Sequence, residues 1–452
     1  MEWKEEYILV FGAGVSGIAA ASLLSSCTKE IILYDTNEKL KPEEICVNLP
    51  ENFSGEIVLG ELTKEQKEKI TRVILSPGVP TDCEEIKEFQ NRNVPIWGEI
   101  ELAYQFAHGK LAAITGTNGK TTTTTLAGEI LKTFFKEVFV VGNIGLPYTK
   151  VVKQTTENSV TVAEMSSFQL ETIESFRPDV SIILNITPDH LNRHHTMENY
   201  ILAKANIMKN QTSSDLCVLN YEDEVLRKLG EKSLGRVLWF SSARKLEKGF
   251  YLDSDLIIYN DGKKETVLCN IHELNILGKH NYENVMAACA VGLAFGIPVE
   301  LIHHALVSFV AVEHRIEYVA TIDGVKYYND SKGTNPDASI QAVRAMQSPT
   351  LLIGGGYDKG SQYEDWIASF EGKVKYLVLM GQTKEKIAQT ARSMGFEAIV
   401  FVDSMQEAVA FCADHAEAGD CVLLSPCCAS WGMFKNYEER GKIFKELVHT
   451  IK

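Results

Sequence analysis

The chain has 452 residues, 45 basic side chains against 60 acidic ones, and a formal charge of −15 at pH 7. A hydrophobic content of 45% with 23% charged residues is that of a soluble globular protein with material for about three domains, and it excludes a collagen-like or disordered chain. The acidic balance, without a basic block, speaks against a general nucleic-acid or anionic-membrane binder, so anionic ligands must be met by local sites.

The expected elements follow a β-α-β order. Tyr7–Phe11 reads as a strand, Val15–Ser26 as a helix and Ile31–Tyr34 as the next strand. The apolar stretch Ile8–Leu24 is glycine-rich and short for a membrane span. Glu2, Glu5 and Glu6 precede it against a single Lys4, the wrong charge for a signal peptide, so a cytoplasmic location is expected. Arg72–Leu75 is another strand, closed by Ser76-Pro77-Gly78. A second α/β unit starts at Leu111–Thr115, with strands expected at Val138–Val141, Val160–Ala163 and Val180–Asn185. Asn260-Asp261-Gly262, between Ile257–Tyr259 and Thr266–Cys269, predicts a hairpin added to that unit. A third unit starts near Val312. Its strands are expected at Val325–Asn329, Thr350–Ile353, Lys375–Met380, Ala398–Val402 and Cys421–Ser425, with helices such as Ala338–Met346 and Met405–Glu417 between them. Alternating strands and helices predict parallel sheets covered by helices. The ten cysteines contain no C-x-x-C pair, which argues against a zinc knuckle or a disulfide framework.

Two loops carry the chemistry. Gly12-Ala13-Gly14-Val15-Ser16-Gly17 joins the first strand to its helix, and Asp35 ends the next strand. Such glycines permit a tight turn and a close approach of backbone to a diphosphate at a helix N-terminus, and the acid can take ribose or base donors. The motif alone does not choose the nucleotide. The second loop, Thr115-Gly116-Thr117-Asn118-Gly119-Lys120-Thr121, follows a strand and leads into a run of threonines, Thr121–Thr125, that is a poor helix start by propensity. Backbone N–H groups of this kind cradle phosphates, the lysine reaches the β/γ-phosphates, and Thr121 can ligate Mg²⁺. It is a variant phosphate loop, with Ile114 where the first glycine is usual. Glu164 and Asp189-His190 lie at or just beyond strand ends, where metal ligands collect in open α/β sheets. His190 and His194 have zinc-like spacing, but Leu191 stands where a zinc protease needs Glu, and His194 and His195 read as surface or structural. A nicotinamide dehydrogenase accounts only for the first loop, and a phosphate-loop kinase only for the second.

The motifs resemble the Mur ligase family and the related folylpolyglutamate synthases nearly end to end. The resemblance rests on Gly116–Thr121, Gly142-Asn143-Ile144-Gly145, Glu164-Met165-Ser166-Ser167-Phe168-Gln169-Leu170, Asn185–Leu191, Ala203-Lys204, Leu277–Asn281 with Asn284, Glu313-His314-Arg315 and Asn329–Asn335. Within the family, Asp35-Thr36, Gly354–Lys359, Leu424–Ser430 and Phe434–Tyr437 resemble the D-glutamate-adding members. Asn192, Asn37 and Tyr437 depart from residues found in many relatives.

The resemblance implies three α/β domains: a Rossmann-like domain at 1–97 for the UDP-substrate, a P-loop ATPase-like domain at 98–310, and a Rossmann-like amino-acid domain at 311–452. It implies an ATP-dependent ligase that adds D-glutamate to UDP-N-acetylmuramoyl-L-alanine through an acyl phosphate, in peptidoglycan precursor synthesis. Lys120, His190 and Lys204 are the expected catalytic residues. Gly116, Thr117, Asn118, Gly119, Lys120, Thr121, Thr122, Asn281, Asn284, Arg315 and Asp330 are expected at ATP. Gly14, Val15, Ser16, Asp35, Thr36, Ser76, Pro77, Gly78, Asn143 and His190 are expected at the UDP-substrate. Lys332, Thr334, Lys359, Ser430 and Tyr437 are expected at D-glutamate. Two Mg²⁺ ions are expected on Thr121, Glu164, His190 and a carbamylated Lys204. A monomer is expected, with no nucleic-acid or membrane partner.

Overall fold

A computed structural model describes residues 3–28, 30–51, 53–310 and 312–451 of the chain. Ala311, the expected start of the third domain, lies outside the described residues. The chain divides into two compact units, Met1–Cys269 with Glu283–Leu306, and Asn270–Tyr282 with Val307–Lys452.

The first unit holds two sheets. One is built from β1 (Ile8–Phe11), β2 (Ile31–Asp35), β3 (Glu56–Leu59), β4 (Arg72–Leu75) and β5 (Ile96–Gly98), in the order β3-β2-β1-β4-β5 and parallel throughout. Strand β1 shows why: all four of its residues are buried, Ile8 and Val10 in one apolar cluster and Leu9 and Phe11 in another. A strand covered on both faces reads as an unbroken apolar run. The strand order reverses between β1 and β4, the point at which ligands settle in sheets of this type.

The second sheet holds β6 (Lys110–Thr115), β7 (Val138–Gly142), β8 (Val160–Glu164), β9 (Val180–Ile183), β10 (Leu216–Asn220), β11 (Arg236–Ser241), β12 (Gly249–Asp253), β13 (Leu256–Asn260) and β14 (Glu265–Asn270). Its order is β14-β13-β12-β11-β10-β9-β6-β8-β7. The predicted hairpin is β13–β14, its turn closed by Asp261, whose Oδ1 accepts the N–H groups of Lys263 and Lys264 at 2.8 and 2.9 Å. The predicted strand at Val180–Asn185 stops at Ile183, because Asn185 turns its side chain onto the phosphate loop instead. The two sheets share an apolar cluster that runs from Ile8 through Trp97 and Leu102 to Leu219. Buried Glu101 ties them further: its carboxylate accepts the N–H groups of Glu174, Ser175 and Phe176.

The second unit is a six-stranded sheet of β15 (Glu317–Ile322), β16 (Val325–Asn329), β17 (Thr350–Gly354), β18 (Val374–Leu379), β19 (Ile399–Phe401) and β20 (Cys421–Leu424), ordered β15-β16-β20-β17-β18-β19. Only β15 runs antiparallel. Because β20 lies between β16 and β17, the turns after all three, at Asp330, Ser425 and Gly355, meet at one edge. All ten cysteines are free thiols and seven are buried, as expected for small apolar side chains. Among the described residues no helix is long and apolar enough to cross a membrane.

Candidate active site

The phosphate loop leaves β6 between the ends of β8 and β9, since Ile114 pairs with Glu164 and Thr115 with Ile183. Gly116 and Gly119 have φ of 155° and 85°, the left-handed region that costs other residues about 1 kcal/mol or more. A Cβ on Gly119 would also stand 2.3 Å from Asn284 Oδ1. Asn185 shapes the loop from outside: its Oδ1 accepts the N–H of Asn118 at 2.8 Å, and its Nδ2 donates to the Asn118 carbonyl at 3.1 Å. The threonine run becomes helical despite its propensity. Helix Lys120–Lys132 buries Thr121 through Thr124, and Thr123 Oγ1 donates to Asn284 Oδ1 at 3.2 Å. Tertiary burial overrides a weak local preference. Lys120 folds back over its own loop, its Nζ donating to the carbonyls of Gly116 and Thr117 at 2.9 and 2.8 Å.

Lys204, on helix Met197–Ala205, is 2% exposed and donates from Nζ to Gly116 O at 2.7 Å. Its Nζ also stands 4.7 Å from the ring centre of Tyr200. Burial, then the charge of Lys120, hold its pKa well below the usual lysine value, while Asp189 and Glu164 pull the other way. Those influences place a lysine pair and two carboxyl groups around the loop. Glu164, at the end of β8, is 1% exposed. Its Oε1 accepts from Asn143 Nδ2 at 2.8 Å, and its buried Oε2 has no hydrogen-bond partner. A hard carboxylate oxygen without a donor, beside a phosphate loop with the Thr121 hydroxyl, fits Mg²⁺. His190 has φ 53° at the head of the short helix Leu191–His194, with its ring edge-on to Phe168 at 5.0 Å. His194, by contrast, is buried against Ser167 and Glu171, and His195 bonds Asp82 at 3.0 Å. His194 is structural and His195 lies at the surface, the two readings the sequence offers for this pair.

The N-terminal glycine motif lies at the reversal of strand order. Gly17 is packed so closely on Gly12 O that a Cβ there would sit 1.7 Å away. Around Gly14 and Gly78 the same test meets nothing within 4 Å, so the mouth over helix Val15–Leu24 is open for a ligand. Asp35 uses its carboxylate to shape this mouth: Oδ2 accepts the N–H of Ala13 and Oδ1 that of Asn37, both at 2.9 Å. Ser76 Oγ donates to Gly12 O at 3.1 Å and fixes the facing segment.

In the second unit, Asp330 is buried at the end of β16, accepting from Ser425 Oγ at 2.7 Å and from the Ile316 N–H at 3.3 Å. Burial raises its pKa to about 7, against the pull of Ser425 and Arg315. Asn281, also buried, donates to Leu277 O at 2.7 Å. Lys332 lies 5.1 Å from the Tyr437 ring, with the N–H of Thr334 on its carbonyl, and Lys359 lies 5.4 Å from the ring of Trp431, the neighbour of buried Ser430.

Sequence reasoning missed the residue that joins these two segments. Arg440 is 2% exposed; Nε and Nη2 donate to Ser331 Oγ and O at 3.0 and 2.7 Å, and Nη1 donates to Cys428 O at 3.1 Å. The signal was present, for Arg440, Gly441, Phe444 and Val448 share the buried face of helix Tyr437–Val448, and a charge on an apolar stripe needs partners. The cluster Glu313–His314–Glu317 has metal-like spacing, but Lys445 already bonds both carboxylates.

Family profiles match three stretches of the chain: "Mur ligase MurD-like, N-terminal domain" at residues 6–98, "Mur ligase middle domain" at 114–292 and "Mur ligase, glutamate ligase domain" at 314–428. The UDP-N-acetylmuramoylalanine--D-glutamate ligase of Lachnoclostridium phytofermentans is 62% identical over 452 residues, all of both chains. The protein of the same name from Lachnospira eligens is 53% identical over 451 residues, again all of both chains. Among solved structures, UDP-N-acetylmuramate-alanine ligase MurC of Thermotoga maritima matches with a TM-score of 0.60 at 19% identity, covering 98% of this chain and 99% of that one, a likeness of fold.

Proposed function

The chain belongs to the Mur ligase family, and from that membership we propose that it is the ATP-dependent ligase that joins D-glutamate to UDP-N-acetylmuramoyl-L-alanine in peptidoglycan precursor synthesis. The observation that carries this is identity of 62% to a relative of that name across the whole of both chains. We divide the chain into a UDP-substrate domain at 1–97, an ATP domain at 98–310 and an amino-acid domain at 311–452, working as a monomer in the cytoplasm.

In the first step the alanyl carboxylate attacks the γ-phosphorus of ATP, giving an acyl phosphate and ADP. In the second the D-glutamate amine attacks the acyl carbon, and phosphate leaves as the amine loses its proton. The first step brings two anions together, so cationic screening dominates the barrier. Lys120 is the cation placed to supply it, exchanging its loop carbonyls for phosphate oxygens. Thr121 and Glu164 would hold one Mg²⁺, and His190 and Lys204 a second; bound there, the ions would supply the positive charge that offsets the remaining phosphate charge. Lys204 meets this role as a carbamate, formed when its neutral amine adds carbon dioxide and releases a proton. Its lowered pKa favours the neutral amine that reaction needs. Asn143 orients Glu164 through Oε1 and leaves Oε2 for metal. Gly14, Val15, Ser16, Asp35, Thr36 and Ser76–Gly78 hold the UDP end. Asn281, Asn284, Arg315 and Asp330 hold the adenosine and phosphates, and Lys332, Thr334, Lys359, Ser430 and Tyr437 receive the two carboxylates of D-glutamate.

Phosphate release with ATP, Mg²⁺ and UDP-N-acetylmuramoyl-L-alanine, across a panel of D- and L-amino acids, tests the proposal. Release that requires both the UDP-substrate and D-glutamate is expected. Release with no dependence on an amino acid, or none with any acceptor, would overturn it.

A further inference from the structure

We propose that Arg193 is a positioning residue that couples occupation of the UDP site to the His190 imidazole; this rests on the function proposed above. The segment from His190 to His195 is bracketed by two residues in the left-handed region, His190 at φ 53° and His195 at φ 67°. Such backbone is uncommon outside glycine and is kept where surrounding contacts determine it.

Arg193 supplies those contacts from within the segment. Its N–H closes the turn on His190 O at 2.9 Å. Its Nη2 donates to Val79 O and to Glu171 Oε2, both at 2.9 Å. Its guanidinium lies 4.9 Å from the centre of the Phe168 ring, and that ring meets His190 edge-on at 5.0 Å. Val79 in turn donates its N–H to Ser76 O at 3.0 Å, closing the turn that holds Ser76-Pro77-Gly78. A continuous path therefore runs from the diphosphate-side turn of the first sheet, through Val79, Arg193 and Phe168, to the histidine beyond β9. His195 on Asp82 at 3.0 Å is a second tie between the same two segments, but that pair is exposed and worth little. Arg193 is the more sheltered of the two ties, half-buried with its side chain 13% exposed. Only a planar guanidinium can stack on a ring while bonding a carbonyl and a carboxylate.

The experiment is a titration of the full chain with UDP, followed by calorimetry and by the ¹H–¹⁵N resonances of the histidine rings, with His190 assigned from the signal missing in H190N. UDP lacks the sugar-peptide arm that would touch His190 directly. In the wild type, UDP is expected to move the His190 resonance. In R193M, which keeps the apolar stem on Phe168 but none of the hydrogen bonds, UDP is expected to bind within about threefold while that shift falls at least about fivefold, and kcat drops about tenfold or more. R193K, with one donor and no flat face, should recover part of the shift. A full shift in R193M overturns the coupling. So does loss of UDP binding together with the shift, which would make Arg193 part of the binding site itself. If R193M does not fold, R193K decides alone: a shift equal to wild type overturns the proposal. A wild-type chain that binds UDP without moving His190 sinks the coupling and leaves the ligase reading standing. A wild-type chain that does not bind UDP sinks both.

Discussion

Lys204 donates a hydrogen bond from Nζ to the carbonyl oxygen of Gly116 at 2.7 Å, so a fully buried amine touches the first glycine of the phosphate loop. A charged lysine there faces burial and the nearby charge of Lys120, and both push its pKa down. The neutral amine adds carbon dioxide, so carbamate loading should persist well below the ordinary lysine value of 10.5 and decline as pH falls further. In ¹³C-bicarbonate the full chain is expected to show one carbamate resonance that is missing in K204M. The same variant should lose about two orders of magnitude in kcat, the scale on which a lost metal ligand or its support acts. A wild-type spectrum without that resonance would rule out the carbamate.

Asp330 makes a pH prediction with a definite sign. Its pKa rises from 3.8 unfolded to about 7 folded, first because of burial. The stability its protonated carboxyl contributes is fully present below 3.8 and is lost as pH rises through about 7. In D330N the carboxyl cannot ionise, and the amide can still accept from Ile316 and donate to Ser425. The variant should therefore match the wild type near pH 4 and gain on it up to pH 8, by at most about 4 kcal/mol. Melting curves across that range read the difference directly; a gap that does not widen with pH contradicts the assignment. Activity should fall at every pH if this carboxylate meets the ribose, as proposed.

The sequence made some of this architecture plain and hid the rest for physical reasons. Phosphate loops are legible because short glycine patterns must meet fixed backbone geometry, as Gly116 and Gly119 do at positive φ. Many of the parallel strands are legible as unbroken apolar runs. Six strands go unread in the sequence: β5 has three residues and β3 opens on exposed Glu56, but β10, β11, β12 and β15 are unread as well, although β10 is a mostly buried apolar run inside the larger sheet. The helix built on Thr121–Thr124 contradicts local propensity and is explained only by burial and by Asn284, 161 residues from Thr123 in sequence. Roles that depend on partners far along the chain are the hardest to see. Asn185 looks like a strand residue until its side chain is found on Asn118, and Arg440 looks like a surface charge until it reaches Ser331 and Cys428.

Arg440 should be needed for both stability and amino-acid binding. Its donors meet Ser331 Oγ and the carbonyls of Ser331 and Cys428, tying two buried segments; Ser331 Oγ donates in turn to Tyr437 O at 2.8 Å. R440K keeps a charge but cannot span all three, and should cost about 2–4 kcal/mol in urea unfolding. Because Lys332 and Ser430 lie within two residues of the tied positions, KM for D-glutamate should rise about tenfold while KM for ATP changes little. An equal rise for both substrates would mark a general loosening of the unit.

Glu164 and Asn143 divide one task between two oxygens. Oε1 is held by Asn143 and Oε2 is buried without a partner, so one oxygen fixes the side chain and the other is left for an ion. E164Q can turn its amide oxygen to Asn143 and keep the fold, but it offers Mg²⁺ an amide N–H where the free oxygen stood. Its Mg²⁺ half-saturation should rise at least about tenfold and its kcat should fall about a hundredfold. N143A leaves both oxygens and removes only their orientation, so its loss should be smaller, about threefold to tenfold in Mg²⁺ half-saturation. Since Asn143 acts through Glu164, the double variant should be no worse than E164Q alone, a coupling energy that a double-mutant cycle measures. Additive losses would show that Asn143 works independently, through the substrate it is expected to touch.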